Sequence, residues 1–431
     1  MIQETAHGEQ AIALRAGRWL RTGNPAHLWP DVSESALLAA HRAIWNATGA
    51  LLRRESQVPP LDTAESGDPR TLGIAAFRAG MGALLGFWIE RGQLVAAPAV
   101  VALLAEHLLH GRRRAAVLDA ALVQVLAALD HWEIIPTLLK GAHTGHVHFA
   151  EAACRVGTDL DLLVDPIQLP AARGVLRSLG YREESRPRIP TRSAWYPGGS
   201  PTHPVSLELA HADNPWSVDL HCSLERRYFR GLSVSVDHTT LARRRLTIAG
   251  HTAMVLDDPH LIAHLALHGS RELGFPQVIR VVELIAVIRQ ASVSPRFWPE
   301  THAYLTAQQL YRFVAPMFVL AEEAVPGIVA VPVLHGCRAA LTARWRRWLD
   351  YVLAHGLSRP HQRTLDERLV WAASWPDTVK IASDLVWHGD NLGWRDRLRL
   401  WSEGAQALLK RRAAPGPAPR RSTSPDQSVA G

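Results

Sequence analysis

The sequence predicts an α+β protein in which a short α/β core is flanked by N- and C-terminal helical regions. Residues 1–130 and 258–411 place apolar side chains at helical spacing, whereas residues 131–257 hold short β-branched runs between turn residues. The last segment, 412–431, is rich in Pro, Ser and Ala and is predicted to be a disordered tail. We therefore expect three structured regions followed by a tail.

The N-terminal region carries the clearest helical periodicity. Apolar residues recur at helical spacing in 33–55 and 98–132, and a Pro-rich break at 58–60 separates the two stretches. The C-terminal region repeats this pattern and is dense in Trp, for example in LTARWRRWLDYVLAHG. These aromatic side chains are predicted to pack between helices.

The α/β core contains one predicted helix and one predicted hairpin. The helix is expected at about 167–179 and ends at Gly180, a residue that favours the left-handed conformation after a helix. Residues 205–211 and 216–222 are typical of two strands joined at Asp213-Asn214-Pro215.

Composition excludes several classes of protein. No stretch of about 18 residues is apolar and free of charge, so we expect no membrane span. The first ten residues have neither a basic start nor an apolar core, which argues against a signal peptide. Three scattered cysteines, Cys154, Cys222 and Cys337, are too few for a disulfide framework or a zinc cluster. A reducing cytoplasm is the expected location.

The net charge of +7 is concentrated at the C-terminus. Residues 411–431 contain four Arg and one Asp, which leaves +3 in this segment and about +4 over the rest of the chain. No stripe of interleaved basic and aromatic residues is present, so we expect no nucleic-acid partner.

Two carboxylates in TDLDLLV indicate a metal site. Asp159 and Asp161 lie two residues apart in an apolar, strand-like run, so both side chains project from the same face. Like charges on one face repel unless a cation lies between them, and Mg²⁺ prefers oxygen ligands of this kind. A solvated strand edge is the alternative interpretation.

The run EIIPTLLKGA indicates a phosphate site. It ends in Lys140-Gly141, and Lys140 is one of only three lysines among 47 Lys and Arg residues. A lysine is a compact charge suited to phosphate, and Gly141 lets a ligand approach the backbone closely. An incidental strand end with a turn glycine is the alternative.

Histidine clusters are the remaining candidates for metal binding. One set recurs every four residues on a predicted helix, a spacing that can bind zinc, although a polar stripe beside the cleft is the preferred interpretation: His260, His264 and His268. A second set, His143, His146 and His148, is expected in a partly exposed segment.

Several of these motifs together resemble a known family. The segments are LLKGA (138–142), Cys154-Arg155, TDLDLLVDP (158–166), RSLGY (177–181), SVDLHCSL (217–224) and residues 261–288. In this succession the chain is similar to uncharacterised nucleotidyltransferases of the polymerase β-like superfamily, over roughly residues 130–290. Some members of that group lie beside genes for modified-peptide biosynthesis.

The resemblance implies a fold, a reaction and a set of site residues. The fold is a short mixed sheet carrying two Mg²⁺ ions, with Mn²⁺ as the alternative, and the reaction transfers an NMP from an NTP to a hydroxyl or phosphate acceptor. The acceptor is expected to be a peptide natural product or a small molecule. The implied metal-binding and catalytic carboxylates are Asp159, Asp161 and Asp219, and the implied nucleotide-binding residues are Lys140, Gly141 and Arg155.

The sequence leaves three alternatives open. Glu208 competes with Asp219 as the third carboxylate, although Asp219 precedes His221 by two residues as the family's pattern requires. The resemblance also suggests that His268 or Arg271 approaches the substrate. The alternative function is a non-catalytic accessory protein that binds a nucleotide or peptide on the same fold.

Overall fold

The computed structural model of the chain describes residues 11–18, 27–62, 67–184, 191–201, 203–229, 232–236, 240–248, 250–271, 278–358 and 369–387. The described residues up to Ile381 belong to one compact unit. The predicted tail at 412–431 and the end of the predicted C-terminal helical region lie outside the described residues.

The N-terminal region is helical, as predicted. Residues 11–18 are helical, and four helices follow: α1 (Glu34–Arg53), α2 (Pro69–Arg78), α3 (Gly82–Glu90) and α4 (Pro98–Asp130). Side-chain oxygens of Ser33 and Asp68 accept hydrogen bonds from backbone N–H groups in the first turns of α1 and α2. Helices α3 and α4 pack so closely that a Cβ at Gly86 would lie 2.3 Å from the Leu104 carbonyl oxygen.

The α/β core is built from short strands and two helices. The strands are β1 (Thr137–Leu138), β2 (Asp159–Leu163), β3 (Arg182–Glu183), β4 (Arg192–Tyr196), β5 (Ser217–His221), β6 (Arg226–Phe229), β7 (Leu232–Val234), β8 (Arg243–Ile248) and β9 (His251–Leu256). The helices are α5 (Lys140–Val147) and α6 (Leu169–Ser178). Helix α6 matches the predicted helix, and Gly180 after it has φ +84°.

Among the described residues, seven strands form one mixed sheet in the order β3-β4-β5-β2-β1-β9-β8, and β6 and β7 pair separately. Strands β2 and β5 run parallel, whereas β1 and β4 lie antiparallel to their respective neighbours β2 and β5. The fold is therefore α+β with a mixed sheet, as the sequence predicted.

The predicted hairpin is wrong. Residues 205–211 form no strand, and β5 pairs with β4 and β2 instead. The Asn214 side chain explains the turn-like sequence, because its Oδ1 accepts backbone N–H groups of Val205 and Ser206 at 2.8 and 3.0 Å. The segment is thus folded by side-chain-to-backbone hydrogen bonds rather than by strand pairing.

One face of the sheet packs on a hydrophobic core. Leu160 and Leu162 of β2 pack with buried residues of α4 and α6, such as Leu122, Val125 and Val175. Each fully buried aliphatic side chain contributes about 1.5–3 kcal/mol. Asp159 and Asp161, which alternate with Leu160 and Leu162 in β2, therefore face the opposite side of the sheet.

The C-terminal region is also helical, as predicted. Its helices are α7 (Asp258–Arg271), α8 (Val278–Ala291), α9 (Phe297–Ala307), α10 (Tyr311–Ala324), α11 (Val331–Ala340), α12 (Ala343–Ala354) and α13 (Trp375–Trp387). Buried Trp345 and Trp371 contact each other with ring centroids 4.7 Å apart, and Phe313 stacks on Trp371. These aromatic residues pack between helices, as the sequence indicated.

Two further expectations can be compared with the described residues. No single helix among them has the length and apolar character needed to cross a membrane, although α2 and α3, bent by 115°, pass that test as a pair. The cysteines Cys154, Cys222 and Cys337 are all free thiols.

Candidate active site

The acidic residues project from the face of the sheet opposite the hydrophobic core. Strands β2 and β5 are parallel, and their register sets Asp161 beside Asp219 and Asp159 beside Ser217. Neighbouring strands lie about 4.8 Å apart, so the paired carboxylates are close enough to share one ion. His221 follows Asp219 on the same face.

Asp161 is held by two donors. Its Oδ1 accepts from Lys140 Nζ at 2.7 Å and from His221 Nε2 at 2.9 Å, and all three side chains are buried. Burial acts to raise the pKa of Asp161, but the positive charge of Lys140 and the hydrogen bond from His221 outweigh it and hold that pKa well below its usual range. Burial lowers the pKa of His221, so a neutral imidazole donates to the carboxylate.

Asp219 is paired with a cation that sequence reasoning missed. Arg192 on β4 donates to Asp219 Oδ2 and lies 4.0 Å from Asp159 Oδ2, and Ser217 Oγ donates to Asp219 Oδ1 at 3.1 Å. The antiparallel register of β4 and β5 brings Arg192 opposite His221, and no local motif indicates that pairing. Two cationic side chains of the protein therefore pair with the acids: Lys140 with Asp161, and Arg192 with Asp219.

The donor set fits a divalent cation. One ligand atom from each of Asp161, Asp219 and His221 lies within 4.8 Å of the others, and no other group of three such side chains converges in the described part of the chain. Two carboxylates are the donors that Mg²⁺ or Mn²⁺ favours, and the imidazole, already bonded to Asp161, orients that carboxylate. The residues therefore suit a hard cation better than zinc.

Asp159 lies outside this converging set, at the mouth of a cleft. Burial, together with the negative charge of Asp161, raises the pKa of Asp159 to about 6. The cleft has a volume of about 140 Å³. Its lining includes three cationic side chains and two glycines next to Asp159: Lys140, Arg155, Arg280, Gly141 and Gly157.

Two of the three cations that line the cleft, Lys140 and Arg155, lie on α5 and in the segment before β2. Lys140 has φ +47°, a left-handed conformation that costs a non-glycine residue about 1–3 kcal/mol and is seen mainly at functional sites. This backbone turn joins β1 to α5 and lets Lys140 reach Asp161. Arg155 is 7% exposed, and its Nε lies 3.1 Å from Glu283 Oε2. It is therefore a buried group in the site rather than a surface cation.

Glu208 is held away from the acids. It accepts from Arg70 Nε and Nη2, at 3.1 and 2.6 Å, and its side chain is 38% exposed. Asp219, in register with Asp161, is thus the carboxylate that joins the cluster.

The histidines predicted as clusters do not form metal sites. His260 Nδ1 pairs with Asp257, and His264 Nε2 lies 3.5 Å from Arg226 Nη2. His143 is buried, whereas His146 is exposed and His148 is intermediate, so the segment is partly exposed, as expected. Neither His268 nor Arg271 lines the cleft.

The chain is similar to a known protein family and to a solved structure. The family model described as an uncharacterised nucleotidyltransferase matches residues 65–326, more than half of the chain. The crystal structure of an antigenic nucleotidyltransferase-like protein from Paracoccidioides brasiliensis is similar at 16% identity and a TM-score of 0.29, covering 52% of this chain and 97% of that one. No curated protein matches the chain.

Proposed function

We propose that this chain, which belongs to the family of uncharacterised nucleotidyltransferases, transfers an NMP from an NTP to a hydroxyl or phosphate acceptor. The observation that supports this most is the register pair of Asp161 and Asp219. Asp161 is bonded to Lys140, which lines a cleft together with Arg155 and Arg280. Carboxylates for a metal ion and cations for a polyphosphate are the two halves of a nucleotidyl-transfer site.

The chain's residues would divide the work as follows. Asp161 and Asp219 would hold one Mg²⁺, and Asp159 with Asp161 would provide ligands for a second, Mn²⁺ being the alternative. When bound, the metal would supply positive charge to the phosphoryl group and the attacking oxygen. Lys140 and the backbone at Gly141 would hold the β- and γ-phosphates.

The acceptor is proposed to be a peptide natural product or another small molecule in the cytoplasm, rather than nucleic acid. Arg155 and the loop before β2 would keep the polyphosphate against the acids while the acceptor enters beside Asp159. Burial and the negative charge of Asp161 raise the pKa of Asp159, and a bound cation would favour the ionised carboxylate that serves as its ligand.

One observation favours a second candidate. Lys140 and Arg192 already neutralise Asp161 and Asp219, as they would in a protein that binds a nucleotide without catalysis. In that case the chain would act as an accessory protein that binds a nucleotide or peptide.

Transfer of α-phosphate label from each NTP to components of a cell extract, with Mg²⁺ and pyrophosphate release measured in parallel, tests the proposal. We expect wild-type protein and the control Glu208→Gln to transfer label, because Glu208 lies with Arg70 outside the acid cluster. Asp161→Asn and Asp219→Asn should be inactive. Full activity in either Asn variant would refute the metal assignment, and NTP binding without pyrophosphate release would support the accessory protein.

A further inference from the structure

An ion-pair network adjoins the cleft and involves α8, a helix in which the sequence predicted no site residue. Glu283 on α8 is 1% exposed and accepts a hydrogen bond from Thr144 Oγ1. Its Oε2 lies 3.1 Å from Arg155 Nε and 3.5 Å from Arg280 Nη1. One carboxylate thus joins α5, the segment before β2 and α8 at a single point.

This arrangement contributes little to the stability of the fold. A buried charge destabilises a protein unless it is paired, and a buried ion pair often gives less stability than apolar residues of similar size would. Arg155 is 7% exposed and the Arg280 side chain 19% exposed. Apart from Arg280 and Glu283, the helix segment VIRVVELIAVI is apolar.

Both arginines that Glu283 holds also line the cleft beside Lys140 and Asp159. Each guanidinium carries five N–H donors. Glu283 contacts one nitrogen of each, and Arg155 Nη1 also donates to the Val156 carbonyl at 3.1 Å. A fixed pair of guanidinium groups matches adjacent phosphate groups, since each planar fork can bond two phosphate oxygens. A Cβ at Gly141 would lie 3.8 Å from the Arg155 guanidinium, so its absence leaves space between backbone and arginine.

We infer that Arg280 is a nucleotide-binding residue that acts with Arg155 on the β- and γ-phosphates of the NTP, and that Glu283 is the positioning residue that fixes both arginines. This inference rests on the proposed function and adds to it. The cleft then recognises a polyphosphate through two arginines and a lysine, carried on three separate segments of the chain.

Isothermal titration with Mg·ATP, Mg·GTP, Mg·tripolyphosphate and the matching NMP tests this assignment. Tripolyphosphate reports on the phosphate site without depending on the base. For Arg280→Ala we expect a loss of about ten- to a hundred-fold in affinity for the triphosphate and tripolyphosphate, the value of one charge-assisted contact, with NMP affinity unchanged. Arg280→Lys should recover only part of it, because an ammonium lacks the fork.

Arg289→Ala is the matched control. It removes the same charge from the same helix, but Arg289 donates to the Leu52 carbonyl and does not line the cleft, so its triphosphate affinity should equal that of the wild type. Glu283→Gln should lower triphosphate affinity while leaving NMP affinity unchanged, whereas a merely structural role would lower both. Thermal unfolding of each variant identifies any misfolded protein. If Glu283→Gln fails to fold, the affinity of Arg280→Ala for the triphosphate tests the inference by itself.

The outcomes distinguish failure of the arginine pair from failure of the proposed function. If wild-type protein binds an NTP and Arg280→Ala binds it equally well, the arginine pair is refuted and the proposed function stands. If wild-type protein binds neither NTPs nor tripolyphosphate, the proposed function fails, and this inference fails with it.

Discussion

A methyl group at Gly141 should separate ligand binding from folding. Gly141 and Gly145 both lie in α5, and an added Cβ would meet its nearest atoms at 3.8 Å in the first case and 3.7 Å in the second. These are ordinary van der Waals distances, so the fold accommodates either alanine. Replacing a helical glycine with alanine stabilises a protein by up to about 1 kcal/mol, and neither variant should therefore unfold at a lower temperature.

The two variants should differ in nucleotide binding. Gly141 lines the cleft, and its Cβ would point at the Arg155 guanidinium, into space that the proposed phosphate would use, whereas Gly145 lies outside the lining and faces Ala152. We therefore expect Gly141→Ala, but not Gly145→Ala, to bind the nucleotide more weakly than the wild type. Losing one charge-assisted hydrogen bond to the phosphate costs about 1.5–3 kcal/mol, which raises Kd roughly ten- to a hundred-fold.

Calorimetric titration of Mg·NTP, together with thermal unfolding, measures both effects in Gly141→Ala and Gly145→Ala. Wild-type affinity in Gly141→Ala would show that phosphate does not approach this backbone. An equal loss of affinity in Gly145→Ala would mean that the helix, rather than the cleft, responds to the substitution.

Four further predictions follow from the same structure. Lys140→Arg should weaken Mg·NTP binding nearly as much as Lys140→Ala, because a planar guanidinium does not fit where the ammonium meets Asp161; calorimetry showing wild-type affinity in Lys140→Ala would remove Lys140 from the site. Asp161→Asn should lower the free energy of unfolding by about 3–5 kcal/mol, since it leaves the buried Lys140 charge unpaired, and an unchanged urea midpoint would contradict this. Burial lowers the pKa of His107 to about 4, so its contribution to stability is complete well above pH 6.5 and falls as the unfolded chain takes up a proton; between pH 6.5 and 5, the free energy of unfolding of His107→Gln should fall by about 1.5 kcal/mol less than that of the wild type, and an identical pH dependence in urea unfolding would refute the assignment. Deleting 413–431 should leave the melting temperature and NTP turnover unchanged, and a drop of several degrees would show that the segment docks.

The features that the sequence predicted well are those encoded within a few residues. Alternation in TDLDLLV sets Asp159 and Asp161 on one face, because the two-residue period of a strand needs no tertiary information. Asp219 came from a resemblance rather than from spacing. The mistaken hairpin shows the limit of local reasoning: Asn214 has the chemistry of a turn, but its sequence does not state whether the preceding segment pairs with β5.

The residues that were missed belong to long-range pairings. Arg192 reaches Asp219 only through the register of β4 on β5, and Arg280 reaches the cleft from a helix that begins more than a hundred residues after β2. A signal was nevertheless present for Glu283. A single carboxylate within an apolar helix is seldom buried without a partner, and the nearest cation on that helix, Arg280, lies one turn before it.

The N-terminal helices contribute directly to the geometry of the acids. Arg114 on α4 is 1% exposed and donates to the Gly157 carbonyl at 2.7 Å, and to the carbonyls of Asn214 and Pro215 at 2.8 and 3.0 Å. These carbonyls lie two or three residues before β2 and β5, the two strands that carry the acids. Because one guanidinium fixes the entry of both strands, the alignment of Asp161 with Asp219 depends on a helix outside the α/β core. This dependence agrees with a family match that begins at residue 65 and includes α4.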